Sequence, residues 1–152
     1  MEKLVHGGDI YSARERISGE IIDFSANINP LGLPQTVKQA LMESMDSFSC
    51  YPDPLCRDLV QEIAKHEQIS TESILCGNGA ADLIFRITWA MKPRRALIAV
   101  PTFAEYEQAL SAVGCQIDYF ELSAEHDFCL QEDFLEQIHP KTDLVFLCNP
   151  NN

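Results

Sequence analysis

Basic residues are scarce in this 152-residue sequence, which has 11 lysines and arginines against 23 aspartates and glutamates. Its formal net charge at pH 7 is −12. Nucleic acids and anionic membranes are both bound through positively charged surfaces. The composition therefore predicts neither of them as a partner, and binding of a small anion has to rely on backbone amides or a few placed cations.

The sequence also lacks long apolar runs and the ligand spacing of a metal site. No stretch approaches the roughly 18 apolar residues of a membrane span, and residues 1–11 contain no apolar core of a signal peptide. Six cysteines form no C-x-x-C pair, and the four histidines lie far apart. We therefore expect a cytoplasmic protein without a metal site, in which reduced cysteines pack as small core residues.

A glycine turn separates a short apolar run from a helical pattern. Apolar residues 74–76 precede Gly77 and Gly79, which let the backbone turn sharply and approach a ligand. In the helix that follows, residues 80–82 present amides without intrahelical partners, and the helix dipole favours an anion there. The pattern fits a phosphate site and equally an ordinary joint capped by Asn78.

Strand and helix patterns alternate after residue 74. The predicted strands are 74–76, 95–100, 115–122 and 143–148, and the predicted helices are 80–91, 105–113 and 132–138. This alternation predicts an α/β layer with a mostly parallel sheet, in which 95–100 and 144–148 are buried strands. Ligands of such sheets bind at the carboxyl ends of the strands. The loops expected there offer amides, the Phe103 ring and asparagine side chains, which suit a flat phosphorylated cofactor.

The first part of the chain has weaker patterns. We predict an extended arm over residues 1–33, with one helical turn at 12–16 and a short strand at 21–24, followed by helices at 34–45 and 54–68. Two local residues remain open to more than one interpretation. Tyr51, in the stiff Y-P-D-P loop, is either a packing residue or a ligand contact, and Asn27 either satisfies loop backbone groups or faces a ligand.

Several motifs resemble fold-type-I pyridoxal-phosphate enzymes of the aminotransferase class I/II superfamily. They are, in order, G-N-G-A-A-D, K-P-R-R-A, P-T-F-A-E-Y and C-N-P-N-N. The H-G-G-D, D-F-S-A-N-I-N-P-L-G and Y-P-D-P segments most resemble the threonine-phosphate decarboxylases of cobalamin biosynthesis, with the histidinol-phosphate aminotransferases as near relatives. The resemblance implies an N-terminal arm and substrate-side loop over 1–33, and the incomplete N-terminal part of a large cofactor-binding domain over 34–152.

The resemblance implies pyridoxal 5'-phosphate (PLP) as the cofactor, a small phosphorylated amino acid as the substrate, and a homodimer. The implied cofactor residues are Ala80 and Ala81 for the phosphate, Phe103 for stacking on the ring, Asn152 for the phenolic oxygen O3', and Tyr51, which reaches the partner subunit's cofactor phosphate. The implied substrate residues are His6, Gly7, Asn27 and Asn152. Asp82 is expected to cap its helix.

The resemblance also implies that this sequence lacks residues needed for catalysis. In the family, the Schiff-base lysine, the aspartate for the pyridine nitrogen and the arginine for the substrate carboxylate all follow the motifs matched here. Lys92 and Lys141 lie at helix or strand margins and are not expected to form the Schiff base. We therefore expect a piece of a longer protein, inactive by itself.

Two activities remain open for the longer protein. The first is decarboxylation of L-threonine O-3-phosphate to (R)-1-aminopropan-2-yl phosphate, and the alternative is transamination of histidinol phosphate. A nucleotide-binding module is disfavoured because Asp82 occupies the place of a third glycine and no P-loop lysine follows.

Overall fold

The computed structural model describes residues 7–151. The chain divides into two compact units, an N-terminal unit that ends at Ile74 and a C-terminal unit that starts at Leu75. Within the described part of the chain, no helix is long and apolar enough to cross a membrane. The sequence analysis divides the chain differently, into an arm with a substrate-side loop over 1–33 and part of a cofactor-binding domain over 34–152. That division by function stays a prediction.

The N-terminal unit is helical. Its helices are α1 (Ile10–Arg16), α2 (Gln35–Glu43) and α3 (Arg57–Glu67), with 3-10 turns at Met45–Ser49 and Thr71–Ser73. Helix α1 begins at a capping aspartate, because the Asp9 carboxylate accepts a hydrogen bond from the Ser12 amide at 3.0 Å. The three predicted helical segments of this unit are confirmed, with α2 and α3 shorter than expected.

The strand predicted at 21–24 is wrong. The Asp23 carboxylate accepts hydrogen bonds from the Ser25 amide at 2.8 Å and from the Ser25 hydroxyl at 2.6 Å, which turns the chain. Phe24 is 92% exposed, so its ring packs on no sheet. A short apolar segment forms a strand only where another strand is available to pair with it.

The C-terminal unit contains a three-stranded parallel sheet. Its elements are α4 (Gly79–Met91), β1 (Arg95–Val100), α5 (Ala104–Ala112), β2 (Gln116–Glu121), α6 (Asp133–Glu136) and β3 (Leu144–Phe146), with a 3-10 turn at Ala124–His126. The strand order is β2–β1–β3, and β1 pairs parallel to both neighbours. The predicted α/β alternation and parallel sheet are confirmed, although α6 is only half the predicted helix.

The central strand β1 is buried on both faces, as its uninterrupted apolar sequence predicts. On one face, Ala96 and Ile98 pack against Leu110 of α5. On the other, Leu97 and Ala99 pack against Phe134 of α6. The two layers of packing fix the sheet between α5 and α6.

Two other predicted strands differ from expectation. Residues 74–76 form no strand, because the Cys76 carbonyl accepts a hydrogen bond from Arg86 Nη1 at 3.2 Å instead of joining a ladder. Strand β3 is shorter than predicted and only half-buried, since it is an edge of the described sheet. Its apolar sequence predicted a buried position that this arrangement does not provide.

An ion pair joins the central strand to β2. Arg95 Nε and Nη2 donate to the two carboxylate oxygens of Asp118, the second bond being 3.1 Å long. These hydrogen bonds hold the pKa of Asp118 below its ordinary value of 3.8. A carboxyl group with a lowered pKa stabilises the fold above the unfolded-state pKa of about 4 and loses that contribution as the pH falls through the lower value.

We expect Asp118→Asn to lower the melting temperature at pH 7 by a few degrees, because it breaks this bidentate pair. The difference from the unmodified protein should shrink towards pH 3, because the stability contributed by the Asp118 charge is lost progressively as the pH falls from about 4 towards the lowered pKa of this carboxyl group. Thermal unfolding at the two pH values measures this, with the exposed Glu125→Gln as a charge-matched control. A difference that stays constant with pH would contradict the role of the Asp118 charge.

Candidate functional site

The carboxyl ends of the three strands lie at one edge of the sheet, because all the strands run parallel. The loops that follow β1 and β3 are joined there directly. Asn151 Nδ2 donates a 2.7 Å hydrogen bond to the Pro101 carbonyl oxygen. The segment that carries Phe103 and the segment that carries the asparagines are therefore held together, as the parallel topology predicts.

A cavity of about 760 Å³ opens at this edge. Its apolar wall includes Leu122 and Phe128, and its polar groups include Thr102, Asn149 and Asn151. Small-molecule sites commonly have this size and this combination of an apolar lining with a few polar groups. The edge therefore has the shape and chemistry of a ligand site.

Phe103 lies at the start of helix α5. Its backbone is extended, with φ −62° and ψ 121°, and Ala104 is the first helical residue. The ring makes an edge contact with Tyr106, yet 37% of the residue stays exposed. The exposed area is available for stacking on a flat ligand.

The first turn of α4 has the features of an anion site. Gly79 has φ +83°, a conformation that other residues adopt only with strain. Asn78 makes no side-chain cap, and its own amide instead donates to Asp82 Oδ2 at 3.0 Å, so the expected capping role of Asp82 is confirmed. The amides of exposed Ala80 and half-buried Ala81 have no partner within the helix.

The carboxylate of Asp82 lies at that turn and is partly neutralised by an arginine. Arg86 Nη1 lies 3.7 Å from Asp82 Oδ2 and also donates to the Cys76 carbonyl. A Cβ on Gly77 would stand 2.7 Å from both Asp82 Oδ2 and a Leu83 methyl, so a larger residue there requires these two side chains to shift. The free amides and the helix dipole favour an anion at this turn, where Asp82 already accepts from the Asn78 amide and is paired with Arg86, and this fits the phosphate group of PLP.

Tyr51 belongs to the N-terminal unit and is fully exposed, so the interpretation of Tyr51 as a packing residue is wrong. The loop that carries it is fixed by Asp53, whose carboxylate accepts from the amides of Leu55 and Arg57 and from Arg57 Nη1 at 2.7 Å. These bonds hold the pKa of Asp53 below its ordinary value. A fixed loop with an exposed aromatic side chain suits contact with a second molecule.

Two segments predicted to face the substrate lie against each other. The Gly8 amide donates to Ser25 Oγ at 2.7 Å, and a Cβ on Gly7 would overlap the Ser25 carbonyl oxygen. Exposed Asn27 follows two residues later. His6 and Asn152, also predicted site residues, lie outside the described residues.

Asn29 has a purely local role. Its Nδ2 donates to the Gly32 carbonyl and its Oδ1 accepts from the Leu31 amide, both at 3.0 Å. The side chain therefore satisfies loop backbone groups. Asn27 makes no such bond among the described residues, and its role at a ligand stays a prediction.

The cysteine side chains differ in burial. All six cysteines are free, and only Cys115 is buried, which confirms the core role for that residue but not for half-exposed Cys76 and Cys148. Among residues 7–151, no group of three or more histidine, cysteine, aspartate or glutamate side chains is arranged to hold a metal ion.

Sequence reasoning missed Asp53 and Tyr106, which fix the two loops that carry predicted aromatic site residues. Asp53 precedes a helix by a few positions, a common place for a carboxylate that accepts backbone amides. Tyr106 follows Phe103 by three positions at a helix start, which places both on one side of the helix. These spacings are the signals that identify such supporting residues.

Residues 19–152 match the family model of aminotransferase class I and II. The chain belongs to this family. Threonine-phosphate decarboxylase from Salmonella typhimurium is 43% identical over 150 residues, which cover 97% of this chain and 41% of that protein. Histidinol-phosphate aminotransferase from Methanococcus aeolicus is 33% identical over 137 residues, which cover 88% of this chain and 37% of that protein.

A solved structure of an L-threonine-O-3-phosphate decarboxylase from Porphyromonas gingivalis has the same fold, with a TM-score of 0.66 and 31% identity. The match covers 77% of this chain and 34% of that chain. This member of the aminotransferase class I and II family thus spans about two fifths of the length of the relatives it matches. The predicted family and its α/β fold are confirmed.

Proposed function

We propose that this chain is the N-terminal part of a PLP-dependent decarboxylase that converts L-threonine O-3-phosphate to (R)-1-aminopropan-2-yl phosphate in cobalamin biosynthesis. The observation that carries the proposal is the 43% identity to a threonine-phosphate decarboxylase across 97% of the chain. The activity belongs to the full-length protein, by which we mean a chain that continues these residues to the length of the relatives. Residues 1–33 supply the arm and substrate-side loop, and residues 34–152 supply the first part of the large domain.

PLP, when bound, supplies a protonated pyridine ring that accepts electrons from the carbon that loses its carboxylate. The Ala80 and Ala81 amides bind its phosphate, Phe103 covers its ring, and Asn152 donates to O3'. The exposed first turn of α4, the exposed area of Phe103 and the bond between Asn151 and Pro101 support this arrangement. The protein selects the reaction by how it orients the substrate.

The substrate side is formed by His6, Gly7 and Asn27, which bind the phosphate and carboxylate of the substrate. The hydrogen bond between Gly8 and Ser25 supports this, because it holds the two segments together. Tyr51 binds the cofactor phosphate of the partner subunit in a homodimer, and its full exposure on a fixed loop supports that role. The six free cysteines support a cytoplasmic enzyme.

Transamination of histidinol phosphate is the second candidate. A histidinol-phosphate aminotransferase is 33% identical over 88% of this chain, and the same cofactor residues serve both reactions. The lower identity favours the decarboxylase. Both candidates need a phosphorylated substrate, so the two reactions must be separated by their products.

Assays of the full-length protein with PLP distinguish the two candidates. We expect CO2 release from L-threonine O-3-phosphate, with one aminopropanol phosphate formed for each CO2, and no turnover of histidinol phosphate with 2-oxoglutarate. Residues 1–152 alone, without the Schiff-base lysine, should be inactive and serve as the control. Turnover of histidinol phosphate that depends on 2-oxoglutarate, without CO2 release from threonine phosphate, would contradict the decarboxylase.

A further inference from the structure

Three aromatic rings connect the loop after β1 to strand β3. The Phe103 and Tyr106 rings meet edge to face, with centroids 5.9 Å apart and planes at 84°. The Tyr106 and Phe146 rings are stacked, with centroids 4.5 Å apart and planes at 10°. Both geometries are favoured by the ring quadrupoles, so each contact has a preferred orientation.

The two ends of this chain of rings differ in how firmly they are held. Phe146 lies within β3 and packs on the buried cluster that includes Ile98 and Leu110. Phe103 lies outside a strand or helix, and its ring contact among the described residues is with Tyr106. Tyr106 therefore connects the exposed Phe103 ring to the core.

The backbone and the hydroxyl of Tyr106 add to this connection. Its amide donates to the Phe103 carbonyl at 3.3 Å, which fixes the spacing of the two residues at the helix start. Burial, and next the Cys148 thiol, raise the pKa of Tyr106 to about 12. The Tyr106 hydroxyl lies beside Cys148, in the segment that leads from β3 to Asn151.

We propose that Tyr106 is a positioning residue, which holds the Phe103 ring in the orientation that covers the pyridine ring of PLP and links that ring to the end of β3. The proposal rests on the proposed role of Phe103 at the cofactor. Tyr106 itself touches neither cofactor nor substrate. Its contribution is orientation, and an edge-to-face ring pair has an energy equivalent to about a two- to tenfold change in affinity.

The test uses the full-length apo-protein titrated with PLP. Tyr106→Leu removes both ring contacts, Tyr106→Phe keeps them and removes the hydroxyl, and Tyr106→Met is a second ringless variant in case the leucine variant fails to fold. Tyr119→Leu, at an exposed tyrosine on β2, is the control. The readouts are the dissociation constant of PLP, the visible circular dichroism for each bound cofactor, and the melting temperature of the apo-protein.

We expect the ringless variants to bind PLP about two- to tenfold more weakly and to change its visible circular dichroism. Tyr106→Phe should restore both values, and Tyr119→Leu should leave both unchanged. Phe103→Leu should weaken binding less in a ringless background than in the unmodified protein, because the two residues act together.

Two results would overturn the proposal in distinguishable ways. Ringless variants that lower the melting temperature but keep the affinity and the dichroism, or that are additive with Phe103→Leu, would reduce Tyr106 to a packing residue while leaving the proposed function intact. Failure of the unmodified full-length protein to bind PLP would overturn the proposed function and this proposal with it.

Discussion

Replacing Ala80 by proline should weaken PLP binding by the full-length protein about 10- to 100-fold, because it removes one amide that donates to the phosphate. A hydrogen bond to a charged group contributes about 1.5–3 kcal/mol, and each 1.4 kcal/mol is a factor of ten. Proline is tolerated in the first turn of a helix, where its missing amide has no intrahelical partner. The preceding Gly79, with φ +83° and no Cβ, accommodates the proline ring.

Ala80→Ser is the matched control, since it keeps the amide and adds one atom to an exposed side chain. Titration of both apo-proteins with PLP gives the two affinities, and thermal unfolding checks that each variant is folded. We expect the serine variant to bind within about threefold of the unmodified protein. If the proline and serine variants bind PLP with equal affinity, the Ala80 amide does not bind the cofactor phosphate.

Phe134→Ala should lower the free energy of unfolding of the C-terminal unit by about 3–5 kcal/mol, because it empties a buried position. Phe134 is 4% exposed and meets Phe120 edge to face at 5.2 Å. It also packs on Leu97 and Ala99 of the central strand. Helix α6 has only four residues and cannot persist without this contact.

The neighbouring Leu135→Ala is the control for this core substitution. Leu135 is 69% exposed on the same helix, so its loss should change the free energy of unfolding by about 0.5 kcal/mol or less. Urea unfolding followed by circular dichroism compares the two variants. If Phe134→Ala lowers the free energy of unfolding no more than Leu135→Ala does, the Phe134 ring does not hold α6 against the sheet.

Part of the fold could be predicted because turn residues in the sequence mark where some helices and strands begin and end. Residues 96–100 are a short apolar run with a turn before and after the strand they belong to, and they form the buried strand β1 as expected. Asp23 shows the limit, because its carboxylate closes a turn where the apolar segment 21–24 predicted a strand. Pairing depends on a distant partner, and a local apolar segment does not report whether that partner exists.

Helix α4 shows a second limit. The 3.6-residue period of 80–91 predicts a helix whose buried face carries Leu83, Ile84, Ile87, Ala90 and Met91, but Ile87 and Met91 are exposed. Ile84 and Thr88 are buried, and Thr88 Oγ1 has no hydrogen-bond partner among residues 7–151. The hydrophobic period in the sequence predicts that a helix forms, whereas packing against the rest of the chain determines which face of the helix is buried.

The residues of the candidate site likewise fall into those that the sequence predicts and those that it does not. Motifs identified Phe103, Tyr51 and the glycine turn, because each occurs in a short recognisable sequence. Tyr106 was missed because its stacking partner, Phe146, is distant in the chain and is brought near only by the parallel pairing of β1 and β3. Residues that support a site through long-range contacts leave little local signal.

The register of that pairing has a consequence for the order of assembly. The Arg94 amide donates to the Asp143 carboxylate across a separation of 49 positions, whereas β2 follows β1 through a single helix. Closing the longer loop costs more chain entropy, and contacts between distant residues form slowly. Folding therefore favours the β1–α5–β2 segment first and the docking of β3 later, so the edge that carries Asn151 is completed only at a late step.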